Sequence, residues 1–151
     1  KRDARQYVEA LTYAQKIREQ YPNTKIVVTG HSLGGSLASY VGNQMGVDTY
    51  TFDAARNGYA TTTGNDHQQI NVFVTGDIVG DPQGYGGTSY AAVTAGAVAH
   101  KIAGTGQLPG SNYFVGVPDW NAKGPSVGLA ERHSMETLLS GLGEMQAHKD
   151  Q

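Results

Sequence analysis

Residues 25–36 read Lys25-Ile26-Val27-Val28-Thr29-Gly30-His31-Ser32-Leu33-Gly34-Gly35-Ser36. The first five are an apolar run rich in β-branched residues, which suits a buried strand of a parallel sheet. The spacing predicts a Gly-containing turn over 30–35, a helix over 36–45, and Gly46 where a helix C-cap belongs. The run Gly30-His31-Ser32-Leu33-Gly34 is a G-x-S-x-G pattern in the strand-turn-helix context that gives it meaning. A reversal that sharp forces the serine backbone into a strained conformation and projects its hydroxyl. Side chains at Gly30 and Gly34 are expected to crowd the neighbouring strand and helix. The Leu33 backbone N–H, at the start of the helix, points at any oxygen held beside Ser32, and the positive end of the helix adds to its pull.

Working outward, Ala4, Tyr7, Val8, Leu11, Ala14, Ile17 and Tyr21 recur at three- and four-residue steps, an amphipathic helix stopped by Pro22 and Asn23. Strands are expected at 47–52, 70–75 and 112–117. Between them lie a polar loop with a short helix (56–68) and a Gly-rich stretch (76–110) holding small helix-like residues at 90–102. A last helix is expected over 134–146, with Met135, Leu138, Leu139, Leu142 and Met145 on one side. Strand and helix alternate, so the class is α/β, a mainly parallel sheet flanked by helices, in one domain over 1–151.

Composition narrows the function. The 151 residues carry 11 Lys+Arg against 13 Asp+Glu, a net charge of −2, so there is no basic footprint and no nucleic-acid partner is expected. The absence of cysteine excludes a disulfide scaffold, a thiolate metal site and a Cys nucleophile. No run approaches the ~18 apolar residues of a membrane span, which leaves peripheral contact with a lipid surface open. Glycine, at 21 residues, is about twice its ordinary share. Residue 1 is Lys, and no signal peptide or lipidation motif is visible. The compartment is therefore not fixed, and secretion or effector-type export is compatible with the chain.

A serine hydroxyl needs a base, and the base needs an orienting group. For a G-x-S-x-G elbow the chain order is Ser, then Asp or Glu, then His. Asp77 follows the strand at 70–75 at its C-terminal end, where α/β sites gather. His133 follows the last strand and precedes a helix. Asp53 also ends a strand and competes as the acid or as a buried cap, and Asp81 is a further loop acid. His31 adjoins the serine and does not easily reach around as its base. His67, His100 and His148 fall in a polar loop, an alanine-rich stretch and a charged tail. Ser32, Asp77 and His133 are thus the candidate catalytic set, with Leu33 as oxyanion donor and Gly30 and Gly34 as the elbow glycines. No metal or cofactor is expected, since Asp77 and Asp81 in 76–87 do not match an EF-hand Ca²⁺ loop.

Several segments in register resemble the class 3 lipases, the α/β-hydrolase family that includes fungal triacylglycerol lipases. IVVTGHSLGG (26–35) is similar to the family's serine signature, and YTFDAARNG (50–58) to its following strand and turn. FVTGDIVGDP (73–82) resembles the acid-bearing segment, and ERHSMETL (131–138) the final His segment. The resemblance implies a C-terminal portion of an α/β-hydrolase fold. It implies Ser32 as nucleophile, Asp77 as acid, His133 as base and the Leu33 amide as oxyanion donor. It further implies cofactor-free hydrolysis of carboxylic esters, of triacylglycerol or phospholipid type, and bacterial lipid-degrading effector domains share the pattern. Asp53 stands where the family usually has Gly, Ala55 where it has Pro, and the insertion 83–110 lacks the family pattern. In this family the second oxyanion donor and the lid come from strands ahead of the elbow helix, so a further N-terminal segment of the same protein is an expected partner. Two other readings share the motif: a non-catalytic binding module, and a serine peptidase or thioesterase on the same fold.

Overall fold

The computed structural model describes residues 2–55, 67–74, 108–115 and 133–150. Among the described residues four strands, β1 (Val28–His31), β2 (Thr49–Phe52), β3 (Gln69–Val74) and β4 (Ser111–Val115), form one sheet in the order of the chain. Every neighbouring pair is parallel, with Gly30 beside Thr51, Thr51 beside Asn71, and Asn71 beside Asn112. The described helices that flank it are α1 (Arg2–Gln20), α2 (Leu33–Met45) and α3 (Met135–Lys149). The α/β class expected from the alternation is what the chain adopts. Asp77, Asp81, His100, the 76–107 stretch and most of the 56–68 loop lie outside the described residues.

Helix α2 crosses β1 and β2, α1 packs on α2, and α3 lies against β3 and β4. Strand side chains alternate between faces, so Thr49, Thr51, Gln69, Asn71 and Phe73 look toward α2. His31, Phe52, Val72 and Val74 look the other way, toward α3. Tyr7 of α1 meets Tyr40 of α2 edge to face, with ring centroids 5.3 Å apart and planes at 83°. The chain turns out of α2 through Gly46 in the left-handed conformation, whose N–H donates to the Gly42 carbonyl. Beside β1, α1 and α2 leave an open apolar groove of about 300 Å³ lined by Ala14, Ile17, Val27, Leu37 and Val41.

Three expectations need correction. The strand runs to His31 and the helix starts at Leu33, so the reversal is made at Ser32 rather than over six residues. Val8 is 59% exposed, because only the α1 face carrying Tyr7 meets α2. Leu139 is likewise 59% exposed while its neighbour Leu138 is fully buried, because α3 offers the sheet one narrow stripe. Among the described residues no helix is long and apolar enough to cross a membrane.

Candidate active site

Ser32 occupies the single-residue turn between β1 and α2 with φ 55° and ψ −125°. A non-glycine residue there costs on the order of 1–3 kcal/mol and persists only where its surroundings over-determine it. They do so here. The Ser32 N–H donates to the Phe52 carbonyl (3.0 Å), while its own carbonyl accepts from Ser36 (3.2 Å) and Ala55 (3.1 Å) N–H groups. A Cβ on Gly30 would lie 2.2 Å from the Gly34 carbonyl oxygen, so strand and helix meet at a distance only glycine permits. The second steric requirement falls one residue later than expected. A Cβ on Gly34 meets nothing within 4 Å, whereas one on Gly35 would come 2.6 Å from the Ala54 Cβ. Gly34 opens onto the apolar groove instead.

Ser32 sits at the N-cap position of α2, yet its side chain makes no capping hydrogen bond. Its Oγ lies 2.6 Å from Nε2 of His133. The hydroxyl that a cap residue would spend on its helix is committed to an imidazole 101 positions later in the chain. His133 is placed by the residue after it. Ser134 caps α3, accepting from the Thr137 N–H at 3.2 Å, and Leu138 buries completely one turn on. The Leu33 amide opens α2, among the N–H groups that have no acceptor inside a helix. The macrodipole therefore places partial positive charge beside the Ser32 oxygen.

Sequence reasoning left Asp53 open as acid or cap, and the structure gives its geometry. Asp53 is fully buried at φ 43°. Its N–H donates to the Val72 carbonyl at 2.8 Å, and its Oδ1 accepts the Val74 N–H at 2.7 Å. The carboxylate thus braces the end of β3 while its backbone takes a left-handed turn. The resemblance places glycine here, and an Asp tolerates that conformation better than most side chains do. His67 lies at the opposite end of the sheet, just before β3, and His148 falls in α3. No cluster of three or more potential metal ligands occurs among the described residues.

Two features escaped the sequence reading. His31, set aside as unable to act as base, has its Nε2 2.9 Å from the His133 carbonyl oxygen. The strands β2 and β3 are polar on their α2 side: Thr49, Thr51, Gln69 and Asn71 are all buried. The signal was present as a period-two alternation, Thr49-x-Thr51 and Gln69-x-Asn71. Most of their polar atoms are hydrogen-bonded, Thr49 to the Val47 carbonyl and the others largely among themselves, while Gln69 Oε1 is buried without a hydrogen-bond partner. Thr51 donates to Asn71 Oδ1 at 2.7 Å, and the Gln69 amide donates to Ser39 Oγ at 2.8 Å. Asn71 donates to the Pro109 carbonyl at 2.8 Å and to Asn112 Oδ1 at 2.9 Å.

A parallel sheet with a strained serine between strand and helix, touching an imidazole from the opposite face, is an α/β arrangement with the strand-turn-helix geometry that the G-x-S-x-G pattern takes. The model of the phospholipase-like family described as Tle-like phospholipase domain matches residues 1–113, and the chain belongs to that family. Curated relatives include proteins that carry the name "Putative lipase ATG15". The Candida glabrata protein is 44% identical over 54 residues, covering 36% of this chain and 11% of that protein. The Pichia angusta protein is 41% identical over 54 residues, 36% of this chain and 10% of its own length. The Mycosarcoma maydis protein is 56% identical over 34 residues, 22% of this chain and 7% of its own. The matched stretch spans about a tenth of the length of these relatives.

Proposed function

We propose that the chain carries the catalytic centre of a serine hydrolase cleaving carboxylic esters of lipids. One observation carries this reading: an Oγ projected by a strained backbone lies 2.6 Å from an imidazole nitrogen. Membership of a phospholipase-like family supports the lipid substrate class, as do relatives named as lipases.

In this mechanism His133 takes the Ser32 proton while Oγ adds to the ester carbonyl carbon. The oxyanion is met by the Leu33 N–H and the α2 N-terminus. His133 then protonates the departing alcohol, activates a water against the acyl-serine, and returns the proton to Ser32 as the fatty acid leaves. Asp77 is assigned as the acid that orients His133, on its place in the chain and on the resemblance. A second oxyanion donor is assigned to backbone outside the described residues. Loss of one such donor typically slows turnover by about 10²–10³-fold, so its source matters.

The test is intact-mass labelling of the protein with a fluorophosphonate, beside Ser32→Ala. One adduct on the wild type and none on the variant is expected. Absence of an adduct on folded wild-type protein removes the hydrolase reading and leaves the binding-module reading. Release of fatty acid from phospholipid vesicles, against triacylglycerol emulsion, a peptide and a thioester, then assigns the leaving group.

A further inference from the structure

His31 stands beside the nucleophile, but its side chain projects to the opposite face of the sheet, toward α3. A carbonyl oxygen only accepts, so the 2.9 Å contact from His31 Nε2 to the His133 carbonyl requires that Nε2 carry a proton and donate it. The two rings lie against one another with centroids 4.9 Å apart and planes inclined by 34°. Two groups on one four-residue strand end therefore hold His133: the Ser32 hydroxyl at its ring, and the His31 N–H at its backbone. The ring contact fixes where Nε2 meets Oγ, and the carbonyl contact fixes the main chain from which the ring extends. With the carbonyl held as well, the residue has one place from which its Nε2 faces Oγ.

We infer that His31 is a positioning residue for the proton transfer between Ser32 and His133. It anchors the main chain of His133 to the end of β1. The inference rests on the acyl-transfer reading above, and it predicts a defect in the chemical step with reagent binding unchanged. A glutamine side chain offers an N–H donor on a similar reach, whereas leucine fills the space and donates nothing.

The experiment compares wild type, His31→Gln and His31→Leu by the concentration dependence of fluorophosphonate labelling, with thermal unfolding of each. For His31→Leu the limiting labelling rate is expected to fall roughly tenfold or more, as small misplacements of reacting groups cost up to ~10² in rate. The half-saturating concentration should hold and His31→Gln should recover most of the rate. Equal limiting rates in wild type and His31→Leu overturn the assignment, as does a loss confined to half-saturation or one shared equally by His31→Gln. Because His31→Leu can fail to fold, ¹⁵N-edited spectra of the wild-type imidazoles supply an independent reading. A slowly exchanging Nε2–H on His31 is expected, and an Nδ1–H tautomer or a fast-exchanging proton overturns the clamp. A wild type that does not label removes the acyl-transfer reading, and the positioning role with it. A wild type that labels no faster than His31→Leu removes the positioning role alone.

Discussion

The two faces of the sheet are held in different ways. Toward α2, Thr51, Gln69, Asn71 and Ser39 form a chain of directed hydrogen bonds in a buried layer. Ser36 joins the layer through a bond to the Ala55 carbonyl. Toward α3, Val74, Val115 and Leu138 are fully buried and apolar. Apolar contact is non-directional and roughly proportional to area, so it holds α3 against the sheet without fixing its rotation. A buried hydrogen-bonded layer resists shifts, since each partner lost strands a further desolvated group beside Gln69 Oε1, which already has none. The rigid face carries Ser32, whose backbone must stay strained. The greasier face carries His133, whose approach needs the extra anchoring that His31 gives.

The largest test of this contrast is Leu138→Ala. Truncation of a fully buried leucine costs about 2–5 kcal/mol, and with it α3 and the attached His133 loosen. Urea unfolding and fluorophosphonate labelling should decline together. Leu139→Ala, one residue on and exposed, should stay within about 0.5 kcal/mol of wild type. Equal losses at the two positions would break the account of a single apolar stripe.

Next in size is Asn71→Leu. It removes the acceptor of the Thr51 hydroxyl and Gln69 amide, and the donor to Pro109 and Asn112. A stranded buried group costs about 1–3 kcal/mol. Chemical denaturation should show the loss, and a variant as stable as wild type would mean that the polar layer does not fix the sheet.

The smallest effect belongs to a polar pair outside both layers. Lys25 Nζ lies 2.8 Å from Asp48 Oδ2, with the lysine 76% exposed. The Lys25 hydrogen bond, and then the Gln68 N–H, hold the Asp48 carboxyl below its ordinary value of 3.8. A carboxyl lowered in the folded state stabilises above its unfolded value and loses that contribution as pH falls through the folded one. Asp48→Asn should therefore lower the melting temperature slightly at neutral pH and leave it unchanged once the carboxyl is protonated. A difference that persists in acid would mean the aspartate acts through something other than its charge. Solvent screening keeps this effect well under that of the buried network.

Much of this was legible in the residues. The run Lys25 to Thr29 and the G-x-S-x-G pattern read as strand, turn and helix, although β1 begins only at Val28 and none of its residues is fully buried. Chain order pairs Ser32 with His133, whose Nε2 lies 2.6 Å from Oγ. Boundaries were less legible. The helix was expected from residue 36, because two adjacent glycines read as a turn and only the strained Ser32 backbone shows that one residue makes it. Gly34 and Gly35 exchanged roles for a similar reason: which glycine is crowded depends on Ala54, and sequence spacing carries no information about that approach. His31 was passed over because adjacency to the serine says nothing about the face its side chain takes. The period of two in β1 sets that face, and the strand had been expected to end before it.

The hydroxyl and the imidazole it touches are 101 residues apart, and the strands between them join the sheet in the order they occur in the chain. Synthesis proceeds from the N-terminus, so the elbow is made before its partner. Until α3 docks, the serine has a strained backbone and no imidazole beside it. A chain made only as far as α2 carries the motif but not the contact. Any break that releases α3 from the finished sheet returns the serine to that earlier, unpaired condition.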